Sequence, residues 1–380
     1  MSKANINTAM LTWARERSGI DATDFARKCG VSPERLVEWE SGARAMTFNQ
    51  AMLYAEKAHV PFGYLFLANP PDEDTLPIPD LRTLEGQGVQ RPSAELLDLV
   101  KLMMQRQEWY RNYLQQQFAE PNAYVGRFNG NDSVADIVAD IRASLGVAAP
   151  PSRGKWEEYY RDLVKRIEAL GILVMRQGNL GHYTRPLRVE EFRGFAIVDD
   201  WAPILFINSS DAPGARLFTL IHELCHIWIG QSGVSDGNPN THRQEEVLCN
   251  AVAAEFLVPA EEFQHLWQPE LKPWERNLAP LEAHFHVSTW VLARRALTLN
   301  FISSKQYRHY IAEQIERYKN QERTGAPGYY RTKKAQISQP FSKAVVGEAL
   351  SGQLLLREAG RLLGGVSPSK IDTFARELGV

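Results

Sequence analysis

Two histidines and a glutamate in the stretch LFTLIHELCHIWIG, residues 217–230, are the side chains of this sequence best suited to chemistry. His222 and His226 lie four positions apart, so on a helix both imidazoles leave the same face. Two such nitrogens can bind one zinc ion (Zn²⁺) at about 2.0–2.1 Å. Glu223 points about 100° away from His222 and can accept a proton from a water molecule on the metal. The spacing therefore predicts a zinc site with a general base.

The residues that flank this motif indicate a buried helix. Seven apolar residues cover nearly every side of it: Phe218, Leu220, Ile221, Leu224, Ile227, Trp228 and Ile229. Such a helix belongs to a protein core, where an ionised Glu223 is costly without a compensating charge. A zinc ion would supply that charge. The alternative is a core helix whose histidines bond to backbone carbonyls, because five-residue matches to this motif also arise by chance.

A second apolar helix, RQEEVLCNAVAAEFLVP at residues 243–259, offers a third metal ligand. Glu246 can complete a set of two histidines and one glutamate, which leaves a fourth position open for water. Asn250 lies one turn further on the same face and can hydrogen-bond a ligand to fix its orientation. Glu245 and Glu255 are the rivals of Glu246. Glu245 points about 100° away, towards solvent, and Glu255 lies two turns further along the helix.

Residues 193–230 and 245–259 together resemble the ImmA/IrrE family of zinc metallo-endopeptidases. The resemblance implies a gluzincin-like core, in which two histidines and a glutamate bind zinc and the glutamate of HExxH is the base. Matched by position, the zinc ligands are His222, His226 and Glu246, and the catalytic base is Glu223.

Two cysteines depart from the pattern of this family. Cys225 stands where glycine or alanine is common, and Cys249 replaces the usual alanine of the second helix. Both are small residues suited to buried packing, which is the interpretation that leaves the site intact. The alternative is that one of these thiols binds the metal.

Hydrolysis also needs a peptide-binding strand and a donor for the oxyanion. The strand PILFIN, residues 203–208, runs directly into the histidine helix, and at a sheet edge it could pair with an extended peptide. Tyr183 is our preferred oxyanion donor. The other candidates, among which the sequence does not choose, are His182, His242, Arg243, His284 and His286.

The amino-terminal stretch DATDFARKCGVSPERLVEWESGARAM, residues 21–46, indicates a helix, a tight turn and a second helix. Gly30 can end the first helix in the left-handed conformation. Ser32 can cap the second helix, with Pro33 at its first position. In this geometry the second helix enters the major groove of DNA.

The first 65 residues, with WESG at positions 39–42, resemble the XRE-type (lambda-repressor-like) helix-turn-helix domain. The resemblance implies binding of double-stranded DNA through residues 21–46. The candidate DNA-contacting residues are Ser32, Glu34, Arg35 and Arg44.

The charge of this segment is unfavourable for DNA binding by a monomer. The second helix carries Glu34, Glu38 and Glu40 against Arg35, and basic and acidic residues are nearly balanced over residues 1–67. Because phosphate neutralisation supplies much of the affinity for DNA, we expect weak binding by a monomer. A homodimer is one solution, and a protein-interaction module is the alternative to DNA binding.

Composition bounds the rest. The chain of 380 residues, with a net charge of −2, has no overall electrostatic bias towards nucleic acid or membrane. Three cysteines form no disulfide framework. The sequence shows neither a signal peptide nor an apolar run of about 20 residues. We therefore expect a cytoplasmic protein without a membrane segment.

Compositional breaks divide the chain into four segments. The predicted order is a helix-turn-helix domain at 1–68, a proline-rich linker at 69–91, the zinc metallopeptidase domain with a helical first part at 92–320, and a small helical C-terminal domain at 321–380. Helical periodicity dominates, and short β-rich runs occur only just before the histidine helix. The predicted fold class is mainly α with a small β-sheet (α+β).

These features favour a zinc-dependent endopeptidase coupled to a DNA-binding domain. The family resemblance implies a protein substrate, such as a transcriptional repressor. The alternative is a DNA-binding regulator or antitoxin-like protein whose zinc domain is a sensor or scaffold. Retention of Glu223 together with all three ligands favours the enzyme, because a sensor has no use for a general base.

Overall fold

The computed structural model describes residues 5–71, 75–82, 92–147, 156–181, 185–235, 243–320 and 334–380. These described residues form two compact units. The first unit contains the described residues within Met1–Pro77 and Gln87–Lys101. The second unit contains the described residues within Ile78–Gly86 and Leu102–Val380. None of the described helices has the length and hydropathy needed to span a membrane.

The first unit begins with four short helices and a 3₁₀ turn. They are α1 (Thr8–Arg17), α2 (Ala22–Lys28), α3 (Pro33–Glu40), α4 (Phe48–Lys57) and the turn Phe62–Phe66. Each helix is preceded by a residue whose side chain accepts a hydrogen bond from a backbone N–H of the first turn; these residues are Asn7, Asp21, Ser32 and Thr47. Such caps satisfy donors that the helix leaves unpaired.

The turn between α2 and α3 follows the chemistry of its residues. Gly30 has a φ of +70°, which glycine adopts without a steric penalty. Leu36 and Trp39 of α3 are buried against Phe25 and Tyr54 in the core of this unit. The packing of α2 against α3 therefore has the arrangement of a helix-turn-helix.

Helix α5 (Ala94–Gln116) starts within the first unit and continues into the second. The remaining helices of the second unit are α6 (Val134–Leu145), α7 (Trp156–Ala169), α8 (Pro213–Trp228), α9 (Gln244–Leu257), α10 (Ala260–Leu266), α11 (Leu278–Phe285), α12 (Thr289–Thr298), α13 (Ser304–Asn320), α14 (Gln339–Leu350), α15 (Leu356–Leu362) and α16 (Ile371–Leu378). Two 3₁₀ turns, Trp274–Asn277 and Pro368–Lys370, precede α11 and α16.

One four-stranded sheet accompanies these helices. Its strands are β1 (Leu173–Gln177), β2 (Gly194–Ile197), β3 (Ile204–Asn208) and β4 (Gly233–Ser235), in the spatial order β1-β3-β2-β4. Strand β3 runs parallel to β1 and antiparallel to β2, and β4 is antiparallel to β2. The fold is therefore mainly α with a small sheet, which confirms the predicted class.

The prediction that β3 could lie at a sheet edge is wrong. Strand β3 has hydrogen-bonded neighbours on both sides, and all five of its residues are buried. An uninterrupted apolar run is typical of a strand covered on both faces. The backbone groups of β3 are consequently used within the sheet and cannot pair with a peptide.

Helix α8 packs against this sheet and against α9. Every residue of α8 from Leu217 onward is buried, as its apolar surface predicts. The helix ends at Trp228, and Gly230, two residues later, has a φ of +67°. Helices α8 and α9 belong to one large hydrophobic core, so their side chains are held in fixed positions relative to each other.

Candidate metal centre

Helices α8 and α9 bring three candidate ligands into one cluster. Helix α8 supplies His222 and His226, and α9 supplies Glu246; their exposed fractions are 2%, 0% and 0%. Among the described residues, these three form the one group of histidine, cysteine or carboxylate side chains close enough to hold a metal ion. The cluster thus depends on a helix pair, which the core fixes in place.

The distances in the cluster match a metal ligand set. His222 Nε2 lies 3.3 Å from His226 Nε2 and 3.3 Å from one oxygen of Glu246. His226 Nε2 lies 3.1 Å from the other oxygen of Glu246. A tetrahedral zinc ion with bonds of about 2.0–2.1 Å requires ligand atoms about 3.3–3.4 Å apart. Two histidines and a glutamate at this spacing therefore fit zinc.

The electrostatics of the cluster favour an anionic Glu246 and a neutral His226. Burial works to raise the pKa of Glu246, but His222 and His226 outweigh it and hold that pKa well below its usual value. Burial lowers the pKa of His226. A deprotonated carboxylate and a neutral imidazole are the forms that bind metal ions.

Glu223 lies next to this cluster in an environment that disfavours its negative charge. It is fully buried, and neither carboxylate oxygen has a hydrogen-bond partner among the described residues. Burial, with the negative charge of Glu246 added to it, raises the pKa of Glu223 well above its usual value. Unpartnered buried carboxylates are rare because they are costly, and a cation in the cluster would offset that cost.

Gly194, the first residue of β2, leaves space for this carboxylate. A Cβ atom on Gly194 would lie 2.7 Å from Glu223 Oε1, 2.8 Å from Thr219 Cγ2 and 2.9 Å from the carbonyl oxygen of Phe206. Any larger residue would collide with Glu223 or with the backbone of β3. The sequence did not single out Gly194, because nothing in RGFAIV indicates which helix packs on it.

We expect Gly194→Ala to destabilise the protein by about 1–3 kcal/mol, since the added methyl overpacks a closed site. The same change should displace Glu223. The matched control is Gly347→Ala in α14, where an added Cβ meets no atom within 4 Å; helix propensity there favours alanine by about 1 kcal/mol. Urea denaturation of both variants measures the difference, and equal stabilities would contradict the packing argument.

Ser235, the last residue of β4, contacts the candidate ligands directly. Its hydroxyl donates to an oxygen of Glu246 at 3.1 Å and lies 3.5 Å from His226 Nε2. A hydrogen bond of this kind orients a carboxylate ligand. Sequence reasoning missed both Ser235 and β4, because a strand of three residues carries no detectable periodicity.

The structure separates Glu246 from its two rivals. Glu245 is half-buried and stands outside the cluster. Glu255 pairs with Arg295 and accepts a hydrogen bond from the backbone N–H of Ala260. Neither rival belongs to the group of candidate ligands.

Asn250, proposed from the sequence to orient a ligand, accepts a hydrogen bond from Arg294 at 3.1 Å. The guanidinium of Arg294 also lies over the ring of Phe218, 4.3 Å from its centroid. Asn250 and Arg294 thereby link α9 to α12 and, through Phe218, to α8.

Cys225 and Cys249 are fully buried free thiols on α8 and α9. Neither belongs to the group of candidate metal ligands. Burial raises the pKa of Cys249 well above its usual value, which keeps the thiol protonated. The packing interpretation accounts for both residues.

Half of the six candidate oxyanion donors, namely Tyr183, His182 and His242, lie outside the described residues. Among the others, His284 pairs with Glu262 at 2.7 Å, and His286 adopts a left-handed conformation at the end of α11. Tyr183 therefore remains a prediction.

A pocket with both apolar and polar lining residues opens at His222 and Glu223. Helices α8, α12 and α13 supply its apolar lining residues: Ala215, Phe218, Trp290, Val291, Tyr307 and Ile311. Arg193 and Arg294 add positive charge to its wall, and Arg193 pairs with Asp211 at 2.7 Å. A pocket that combines apolar side chains with convergent polar groups is typical of a ligand site.

The candidate DNA-contacting residues lie on or next to α3. Ser32 caps the helix by accepting from the backbone N–H of Arg35 at 3.3 Å. The side chain of Arg35 pairs with Glu38 at 3.0 Å, and Arg44 lies 3.8 Å from the same carboxylate. Glu34 is exposed in the first turn.

Glu40 differs from the other acidic residues of α3. Both of its oxygens accept hydrogen bonds from Arg15, at 2.8 and 3.1 Å. The hydroxyl of Tyr54 donates to it at 2.7 Å. Glu40 is therefore tied to the interior of the unit, and its charge is matched by Arg15 rather than presented to phosphate.

Fold and site together define a metallopeptidase-like domain joined to a helix-turn-helix unit. Residues 167–297 match the family model of the IrrE N-terminal-like domain (Peptidase_M78), and residues 11–65 match the helix-turn-helix model HTH_3. Residues 337–377 match a domain of unknown function (DUF8813). These matches confirm the resemblance to the ImmA/IrrE family with an XRE-type domain. Searches of curated proteins and of solved structures found no match.

Proposed function

We propose that this protein is a zinc-dependent endopeptidase that hydrolyses a regulatory protein, such as a transcriptional repressor. The observation that carries the proposal is the buried cluster of His222, His226 and Glu246, with ligand atoms 3.1–3.3 Å apart. Its first support is the match to a metallopeptidase family model. The second is Glu223, a buried carboxylate beside the cluster and within the pocket.

Each residue has a distinct role in the proposed reaction. His222, His226 and Glu246 would hold the zinc ion, and Ser235 would keep Glu246 in position. The bound ion would supply positive charge that polarises the scissile carbonyl. Glu223 would take a proton from the attacking water and return it to the leaving amine. The pocket beside Glu223 would receive a side chain of the peptide.

Metal analysis of the purified chain tests the ligand set. We expect one zinc ion per wild-type chain and almost none in His222→Ala, because two remaining ligands hold zinc poorly. The control is His309→Ala, an exposed histidine of α13 whose side chain is 75% accessible. A wild-type protein without zinc, or equal zinc in wild type and His222→Ala, would contradict the proposal.

We also propose that the first unit binds double-stranded DNA through residues 21–46, with Ser32, Glu34, Arg35 and Arg44 at the interface. Support comes from the helix-turn-helix family match and from the inward position of Glu40, which removes one acidic group from the surface of α3. Two copies acting as a homodimer would double the phosphate contacts.

The second candidate function is that of a DNA-binding regulator whose zinc domain is a sensor, favoured by the DNA-binding fold of the first unit. The two functions differ in their need for Glu223. If the protein regulates its target genes as an endopeptidase, Glu223→Gln should abolish that regulation. Regulation that survives Glu223→Gln but is lost in Arg35→Glu would favour the sensor, and transcript measurements distinguish the two.

A further inference from the structure

The outer edge of β4 is already occupied by a segment of the same chain. Val234 donates its backbone N–H to the carbonyl oxygen of Pro79 at 3.0 Å, and its own carbonyl accepts from the N–H of Leu81 at 3.0 Å. The two segments are parallel. We call residues 78–82 the strap, since Asp80 within them pairs with Val234 on this edge.

Side chains of the strap fix it in place. A Cβ atom on Gly233 would lie 2.1 Å from Leu81 Cδ1, so the glycine leaves space for the leucine. Leu81 and Arg82 are 7% and 8% exposed. Arg82 pairs with Asp80 within the strap and with Glu191 at 3.3 Å outside it.

The occupied edge borders the candidate metal cluster. Ser235 follows Val234 in β4 and donates to Glu246. Gly194 of the neighbouring strand β2 pairs with Ser235 and lies against Glu223. In the sheet order β1-β3-β2-β4, the other edge belongs to β1, with β3 between it and β2. The edge of β4 is thus the one next to the cluster.

We propose that the outer edge of β4 is the docking surface for an extended segment of the substrate protein, and that the strap competes with it. This inference rests on the proposed endopeptidase function. Extended peptides bind to a sheet edge through main-chain hydrogen bonds, and Val234 can serve only one partner strand. A substrate strand therefore has to displace the strap before it pairs with β4.

The strap lies at a crossing between the two units along the chain. It belongs to the second unit, whereas the chain before Ile78 and after Gly86, as far as Lys101, belongs to the first. The proposed competition therefore takes place on a segment that joins the two units in sequence.

Ligand binding to the zinc-loaded full-length chain tests the proposal without knowledge of the substrate. Leu81→Asp would release the strap, because a charged side chain is costly in the buried position over Gly233. Leu81→Met is the matched control that keeps the apolar contact. The probes are acetohydroxamate, which reaches only the metal, and a tripeptide hydroxamate of apolar residues, which also extends along β4. Calorimetry measures both affinities.

We expect Leu81→Asp to bind the tripeptide hydroxamate about tenfold more tightly than wild type and Leu81→Met do, which corresponds to two gained main-chain hydrogen bonds. Acetohydroxamate should bind all three proteins equally. Hydrogen exchange of the peptide that contains Val234 should accelerate in Leu81→Asp, which verifies release. Equal tripeptide affinity despite faster exchange would overturn the inference. If Leu81→Asp does not fold, Arg82→Ala serves in its place.

Failure of the proposed function gives a different result. A zinc-loaded protein that binds neither hydroxamate would contradict an accessible catalytic metal. In that case hydrogen exchange still tests whether the strap is bound to β4. If the Val234 amide of the wild type exchanged as fast as an amide without a hydrogen bond, the strap would not occupy this edge and the inference would be overturned.

Discussion

Glu223→Gln should abolish hydrolysis of the substrate and leave the zinc content of the protein unchanged. The amide keeps the size of the carboxylate but cannot accept a proton, and loss of a general base costs on the order of 10²–10⁴ in rate. Glu223 is beside the ligand cluster and not part of it, so the metal should remain. Mass spectrometry of new amino termini in a cell lysate, after incubation with the zinc-loaded protein, measures cleavage.

The control for this variant is Glu245→Gln. Glu245 is half-buried at the start of α9 and loses the same charge on substitution. The Glu245→Gln protein should cleave the substrate as the wild type does. New amino termini produced equally by Glu223→Gln and by wild type would remove Glu223 from the reaction.

Zinc should stabilise the folded chain, and Glu246→Gln should abolish most of that effect. Glu223 and Glu246 are both fully buried, and the negative charge of Glu246 disfavours ionisation of Glu223. A divalent cation held by His222, His226 and Glu246 would offset this unfavourable negative charge. At a free zinc concentration of about 100 times the dissociation constant, the free energy of unfolding should rise by about 2.7 kcal/mol. Thermal unfolding with zinc or with a chelator measures it.

The effect of zinc on the stability of Glu246→Gln distinguishes zinc bound at the cluster from zinc bound nonspecifically elsewhere. Glu246→Gln retains both histidines and the volume of the side chain but removes the anionic ligand. We expect zinc to stabilise Glu245→Gln as it does the wild type and to have little effect on Glu246→Gln. An equal rise in all three proteins would place the stabilising metal elsewhere.

The spacing of a few residues was enough to predict the centre of this site. His222, Glu223 and His226 lie within one helical turn of each other, so their relative directions follow from helix geometry alone. Glu246 could be predicted because α9 is a second apolar helix that carries acidic residues in its first turn. Local periodicity contains this information.

Other contributors could not be predicted, because they depend on strand pairing over long sequence separations. Gly194 and Ser235 become neighbours only when β2 pairs with β4. The apolar run of β3 predicted a strand but not its neighbours, and the sequence order gave no indication that β4 would return to the far side of β2. The expected edge position of β3 was wrong because β1 pairs in parallel with the side of β3 that faces away from β2.

The charge of α3 shows a similar limit. Counting residues treats Glu40 as a surface acid, whereas its carboxylate bonds to Arg15 and Tyr54 within the first unit. A helical projection cannot reveal these partners, since Arg15 lies on α1 and Tyr54 on α4. The surface available to phosphate is therefore less acidic than the composition indicates.

The three buried cysteines can report local unfolding of the chain, because each becomes reactive only when the region around it opens. Cys29 lies in the first unit, where burial raises its pKa to about 11, and Cys225 and Cys249 lie in the second. Because alkylating reagents attack exposed thiolates, the native chain should resist modification. The order in which the three thiols are labelled at increasing denaturant concentration would then show which of the two units unfolds first.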